Sequence, residues 1–174
     1  MDVILVDETD KPLGTMEKME AHRKALLHRA FSVFIFNEKG DMLLQKRAAG
    51  EYHSGGLWTN ACCSHPRPGT DVIEAAAQRL MEEMGFSAKL VKLFDFIYRA
   101  PYDNGLTEHE FDHVLVGTYD GDIFPNPEEV SDFCYKSLPE IRHSLQSNGA
   151  EYSEWFKIAF PRVESYMDAF VLNQ

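Results

Sequence analysis

Apolar and polar positions follow short, distinct periods along the chain, and each predicts an element. Val3 to Val6 is a short apolar run and reads as a strand, followed by a turn around Asp10 to Gly14. Met16 to Arg23 is rich in helix formers and predicts a short helix. From Phe31 to Phe36 the run is almost wholly apolar, as in a strand buried on both faces. Asn37-Glu38-Lys39-Gly40 then turns the chain into a second strand, Met42 to Arg47, which predicts a hairpin. Ala48 to Gly56 form a loop. Asp71 can cap a helix running to about Met84, with Val72, Ala76, Leu80 and Met84 along one face and Gly85 as its stop. Strands are predicted from Lys89 to Arg99 and from Leu106 to Tyr119 around the turn Asp103-Asn104-Gly105, with a third from Glu129 to Tyr135. Two helices close the chain, Leu138 to Gln146 and Glu154 to Phe170, and Pro161 should kink or interrupt the second because it has no N–H to donate. The expected architecture is a mixed sheet flanked by helices in one α/β (α+β) domain.

Composition narrows the class. At 174 residues, 44% apolar and 26% charged, the chain suits one globular domain with a real core. No apolar run approaches the roughly 18 residues that would span a bilayer, so no membrane insertion is expected. The acidic N-terminal stretch lacks the basic-then-apolar pattern of a signal peptide, which makes a cytoplasmic location the default. A formal charge of −11 argues against a nucleic-acid partner, whose phosphates it would repel. Three cysteines, two of them adjacent, form no disulfide framework, and reduced thiols are the simpler reading. A monomer is expected, with a dimer left open.

Two stretches carry chemistry. In Trp58-Thr59-Asn60-Ala61-Cys62-Cys63-Ser64-His65-Pro66, Cys63 stands two residues before His65, so thiol and imidazole can share a face if the segment is extended. A histidine or a metal beside it would lower the thiol pKa. Cys62 reads as a buried small hydrophobe, and Cys134 as structural. In Glu108-His109-Glu110 the two carboxylates project to one side of a strand while His109 points away. Side-by-side carboxylates repel unless a cation or proton lies between them. A solvated edge strand is the alternative, and the apolar Val114-Leu115-Val116 that follows weighs against it. His22, His28 and His65 are the natural complements, and imidazole with carboxylate suits Mn²⁺, Zn²⁺ or Mg²⁺. Spacing alone does not establish that site.

The helix that follows, Ala75 to Gly85, resembles the back half of the Nudix box. It departs from the box at Gln78-Arg79, where an Arg-Glu pair is usual, so the fold is implied more firmly than pyrophosphohydrolase chemistry. Glu17-Lys18 with His22, Leu27-His28-Arg29-Ala30-Phe31, Thr59 to Pro66, Tyr98-Arg99-Ala100, Gly105 to His113 and Trp155-Phe156, in that order, resemble the type 1 isopentenyl-diphosphate isomerases, a branch of the Nudix-like fold. The resemblance runs from about residue 4 to 160. It implies interconversion of isopentenyl and dimethylallyl diphosphate, with a small diphosphate as the substrate. Carried over by position, Cys63, Glu110 and Tyr98 are catalytic, with Glu110 protonating the alkene and Cys63 handling the other proton. His22, His28, His65, Glu108 and Glu110 hold the first metal. Glu83, with the Cys63 carbonyl, holds Mg²⁺ on the diphosphate. Lys18, Arg47, Ser64 and Arg79 face the diphosphate, Trp155 lies over the cation, and residues 1–27 cover the site. The rival readings are a Nudix hydrolase, which would not need Cys63, and a metal-binding module without turnover.

Two departures from the family pattern matter. His22 and His28 are one residue closer than in some relatives. Glu51 stands four residues after Arg47, where the family commonly carries a diphosphate-binding lysine, and an acid there repels an anionic substrate. Glu51→Lys is therefore predicted to lower KM for isopentenyl diphosphate in steady-state assays; an unchanged or higher KM contradicts this.

Overall fold

The computed structural model describes residues 1–172. The strands are β1 (Asp2–Val6), β2 (Pro12–Glu17), β3 (His28–Phe36), β4 (Met42–Arg47), β5 (Trp58–Thr59), β6 (Cys62–Ser64), β7 (Val91–Pro101), β8 (Thr107–Thr118) and β9 (Val130–Lys136). The helices are α1 (Lys18–Arg23), α2 (Val72–Met84), α3 (Leu138–Asn148) and α4 (Glu154–Leu172).

β3 organises the sheet. It runs parallel to β8 along its whole length, from His28↔Glu110 to Phe36↔Thr118, and antiparallel to β6 at Ser32↔Cys63. β7 flanks β8 on its other side, and β9 pairs with β4. Alternate residues of β3 feed two cores, as strand periodicity requires. Phe34 and Phe36 pack with Trp155, Phe156 and Phe160 of α4, while Phe31, Val33 and Ile35 pack with Ala76, Leu80 and Met84 of α2. Asp71 caps α2, accepting from the Ile73 and Glu74 amides, and Gly85 ends it in the left-handed conformation.

Three expectations change. The β3–β4 hairpin pairs only at Phe36↔Met42 and then splays, because β3 bonds to β8 and β6 while β4 bonds to β9 and β5. Polar side chains satisfy the backbone in the wedge: Asn60 Nδ2 donates to the Val33 and Cys62 carbonyls, and Gln45 Nε2 donates to the Ala61 carbonyl. Near the N-terminus strand β2 replaces part of the predicted turn and the first two residues of the predicted helix, pairing with β1 from Val6↔Pro12 to Asp2↔Glu17, and the helix runs from Lys18 to Arg23. The tighter turn is Asp7 to Asp10, where the Asp7 carboxylate accepts from the Thr9 and Lys11 amides. Finally, α4 continues through Pro161. Trp155, Phe156 and Ala159 before the proline and Val163 after it are all buried in one core, which holds both halves in place.

Gly85 has φ +75°, and a Cβ there would lie 2.4 Å from the Phe124 carbonyl oxygen. Gly85→Ala is predicted to destabilise the fold by roughly 1–3 kcal/mol or more, read as a lowered urea midpoint; an unchanged midpoint contradicts the packing described.

Candidate active site

Strand register assembles the site. Parallel pairing sets His28 opposite Glu110, antiparallel pairing sets Tyr98 opposite Glu110 and Ala100 opposite Glu108, and β6 sets Cys63 opposite Ser32. Helix α1 adds buried His22. One cavity is lined by Lys18, Arg47, Cys63, Ser64, His65, Arg79, Glu83, Tyr98, Glu108, Glu110 and Trp155, so the sequence-predicted residues meet, with His22 and His28 in contact behind its wall. Glu108 and Glu110 are 3% and 6% exposed on an interior strand, which removes the solvated-edge alternative. His109 does turn away, its Nδ1 lying 2.9 Å from the Ala25 carbonyl oxygen.

The carboxylates are held from several sides. Glu110 Oε1 lies 2.8 Å from His65 Nε2 and 3.6 Å from His28 Nε2, and Glu110 Oε2 accepts from the Tyr98 hydroxyl at 2.6 Å. Glu108 Oε2 lies 3.0 Å from the Tyr98 hydroxyl oxygen and accepts from the Tyr102 hydroxyl at 2.8 Å. Burial works against ionisation of Glu110, yet the facing His65 and His28 rings hold its carboxyl well below the usual carboxylate range. Burial pushes His65 down to about 4.

The histidines are oriented for coordination. His22 Nδ1 lies 2.7 Å from the Lys18 carbonyl oxygen and His28 Nδ1 lies 2.8 Å from that of Leu26. Each Nδ1–H donates there, which leaves the Nε2 lone pair free. His22 Nε2 is buried without a hydrogen-bond partner. The four donors of His22, His28, His65 and Glu110 all lie within 4.8 Å of one another, and so do those of His22, His53 and Glu108. Orphaned buried nitrogens beside carboxylates fit a divalent ion. The expected five-ligand set is thus divided, with Glu108 in the second group. Neither Glu83 nor the Cys63 thiol joins either group. His53 escaped sequence reading because it sits in a loop without periodicity, and its only signal is its place five residues before the Trp58 motif.

Cys63 corrects an expectation. Burial first, then the charge of Asp112, pushes its thiol up rather than down. His65 is engaged by Glu110 and His28, and the sulfur instead meets Asn60 Oδ1 at 3.1 Å, Ser32 Oγ at 3.6 Å and Trp155 Nε1 at 2.9 Å. Trp155 is a buried wall whose indole N–H donates to the sulfur.

At the polar end, Lys18 Nζ lies 4.2 Å above the Tyr52 ring and burial lowers its pKa. Arg47 pairs with Glu51 at 3.1 Å, so the unusual acid occupies a cation in the cavity wall. Glu83 accepts from Gln45 Nε2 at 2.9 Å and from Arg79 Nη2 at 2.5 Å, and burial raises its pKa.

A curled mixed sheet with α2 following the cysteine segment is the Nudix arrangement, and comparison agrees. The NUDIX domain family matches residues 26–156. Among solved structures, a protein from Deinococcus radiodurans superposes with a TM-score of 0.78 at 17% identity, covering 93% of this chain and 98% of that one. An isopentenyl-diphosphate Delta-isomerase from Pectobacterium atrosepticum is 49% identical over 99% of this chain and 97% of its own length. Isopentenyl-diphosphate Delta-isomerase 1 from Aromatoleum aromaticum is 50% identical over 92% of this chain and 91% of its own. The chain belongs to the isopentenyl-diphosphate Delta-isomerases of the Nudix superfamily.

Trp155→Phe keeps an aromatic ring but removes the donor to Cys63. A hydrogen bond to a charged group contributes about 1.5–3 kcal/mol, or about tenfold and upward in rate. Alkylation of Cys63 by iodoacetamide, followed by peptide mass spectrometry at fixed pH, is predicted to slow by about that factor, since the thiolate loses its donor. Faster or equal alkylation contradicts the contact.

Proposed function

We infer that this protein interconverts isopentenyl and dimethylallyl diphosphate by a 1,3 shift of a proton across an allylic system. The observation that carries the reading is that Cys63 and Glu110 line one cavity, with Lys18, Arg47, Arg79 and Ser64 toward its polar end. An isolated alkene is a weak base, so its protonation needs an acid in a site that excludes water.

The charge states described above favour one division of labour. The thiol of Cys63 carries a proton, and the Glu110 carboxyl is ionised. We therefore assign Cys63 S–H as donor to the terminal alkene carbon of isopentenyl diphosphate and the Glu110 carboxylate as acceptor of a proton from C2. This reverses the division of labour expected from the sequence. The sulfur that loses its proton already has the Trp155 N–H at 2.9 Å, a donor fixed before charge develops. The face of Trp155 stabilises the tertiary cation by about 2 kcal/mol when desolvated. Tyr98 orients Glu110 through its 2.6 Å hydrogen bond. The reverse reaction exchanges the two roles.

His22, His28, His65 and Glu110, with Glu108 adjoining, would hold a divalent ion (Mn²⁺, Mg²⁺ or Zn²⁺), and Glu83 with the Cys63 carbonyl would hold Mg²⁺ on the diphosphate. Bound ions supply fixed positive charge that holds the carboxylate ionised and neutralises the diphosphate. Residues 1–27 cover the site, as the position of Lys18 and His22 supports. All assigned residues come from one chain, so a monomer suffices, and free cysteines suit the cytoplasm.

Incubating wild type and Cys63→Ala with isopentenyl diphosphate and Mg²⁺ in D₂O tests this by NMR. Deuterium in the carbon chain of dimethylallyl diphosphate with wild type, and its loss with Cys63→Ala, is predicted. Free phosphate or pyrophosphate without label in the carbon chain would make the protein a hydrolase.

A further inference from the structure

We propose that His53 is a direct ligand of the ion held by the His/Glu cluster, an inference that rests on the metal-dependent reading above. Three observations carry it. The His53 side chain is 4% exposed, and neither ring nitrogen has a hydrogen-bond partner. Its Nε2 nevertheless lies 2.8 Å from Glu108 Oε1, so the two atoms are close without N–H and lone pair being aligned. Donors at about 2.1 Å from one ion, at right angles, lie about 3 Å apart. The same spacing recurs in the neighbouring group, at 3.2 Å between His28 Nε2 and His65 Nε2 and 2.8 Å between His65 Nε2 and Glu110 Oε1.

The ring is also held in position. It stacks on Tyr102 at 5.1 Å with planes 10° apart, and Tyr52 and Trp155 meet it edge-on. Its loop is tied to the β7–β8 turn by Asn104 Nδ2 donating to the Tyr52 carbonyl, and to Arg47 through the His53 carbonyl.

One ion, rather than two, follows from His22. Its Nδ1 is committed to the Lys18 carbonyl, so only Nε2 can coordinate, yet His22 belongs to both donor groups. The Tyr98 hydroxyl spans the two groups, reaching Glu108 Oε2 at 3.0 Å and Glu110 Oε2 at 2.6 Å, and a single ion would draw the two sets of donors closer together than they lie here. Four imidazoles and two carboxylates then complete the donor set. Such a set favours Mn²⁺ or Zn²⁺ over Mg²⁺. It leaves no position for a water, which separates this centre from one that activates water for hydrolysis.

The test uses Zn²⁺ alone, with ¹⁵N-histidine spectra of the full chain recorded with and without metal, and Zn²⁺ titration of wild type and His53→Gln. The proposal predicts that His53 Nε2 shifts on Zn²⁺ addition together with His22 and His28 Nε2. It also predicts that His53→Gln raises the Zn²⁺ Kd at least tenfold. If His53→Gln does not fold, the wild-type spectra decide. Zn²⁺ binding that moves the His22 and His28 nitrogens but not His53 overturns the proposal while sparing the cluster, whatever the Kd of the variant. If no histidine nitrogen moves, both fail.

Discussion

The parallel register of β3 against β8 is the constraint on which the site depends. It sets His28 level with Glu110 and carries Glu108 two residues further along the same face. Because side chains alternate along a strand, a slip of one residue would turn both glutamates away and present His109 instead. The register is fixed from both sides by burial. Phe31, Phe34 and Ile35 of β3 and Val114 and Leu115 of β8 are almost wholly inaccessible, so a slip would expose core residues and bury polar ones. The hydrophobic core and the catalytic geometry are one decision.

Splaying of the β3–β4 hairpin is the second half of that design. Opening the wedge admits residues 58–64, and it places Cys63 on β6 beside Ser32, across the cavity from Glu110. Asn60 pins the wedge by donating to two backbone carbonyls, while its Oδ1 meets Cys63 and Trp155. Polar groups sunk so deeply are costly unless partnered. Here Glu110 is compensated by His28, His65 and Tyr98, and Glu83 by Arg79 and Gln45. Among the buried atoms left without a partner, His22 Nε2, the His53 ring nitrogens and His65 Nδ1 belong to the residues of the metal-binding cluster.

Much of this was legible in sequence where local chemistry and global packing agree. The apolar run of β3, the Asp71 cap and Gly85 stop of α2, and the alternation that puts Glu108 and Glu110 together are local signals that burial reinforces. Strand β2 was not legible because it is almost entirely exposed, so it carries no apolar alternation, and its pairing with β1 decides its state. The splay depends on β8 and β9, whose contact with β3 and β4 comes from distant sequence. His53 is placed by tertiary stacking on Tyr102, with no period to announce it. The pairing of Cys63 with His65 was misleading in sequence because closeness along the chain does not give contact between their reactive atoms, and His65 faces Glu110 and His28 instead.

An anomalous-difference map from crystals grown with Mn²⁺ would show whether β3 and β8 hold one ion between them. Register-built coordination predicts an ion bonded at once to His28 Nε2 on β3 and the Glu110 carboxylate on β8. A map with no ion bridging those two strands, or with Mn²⁺ only beside Glu83, would contradict the account.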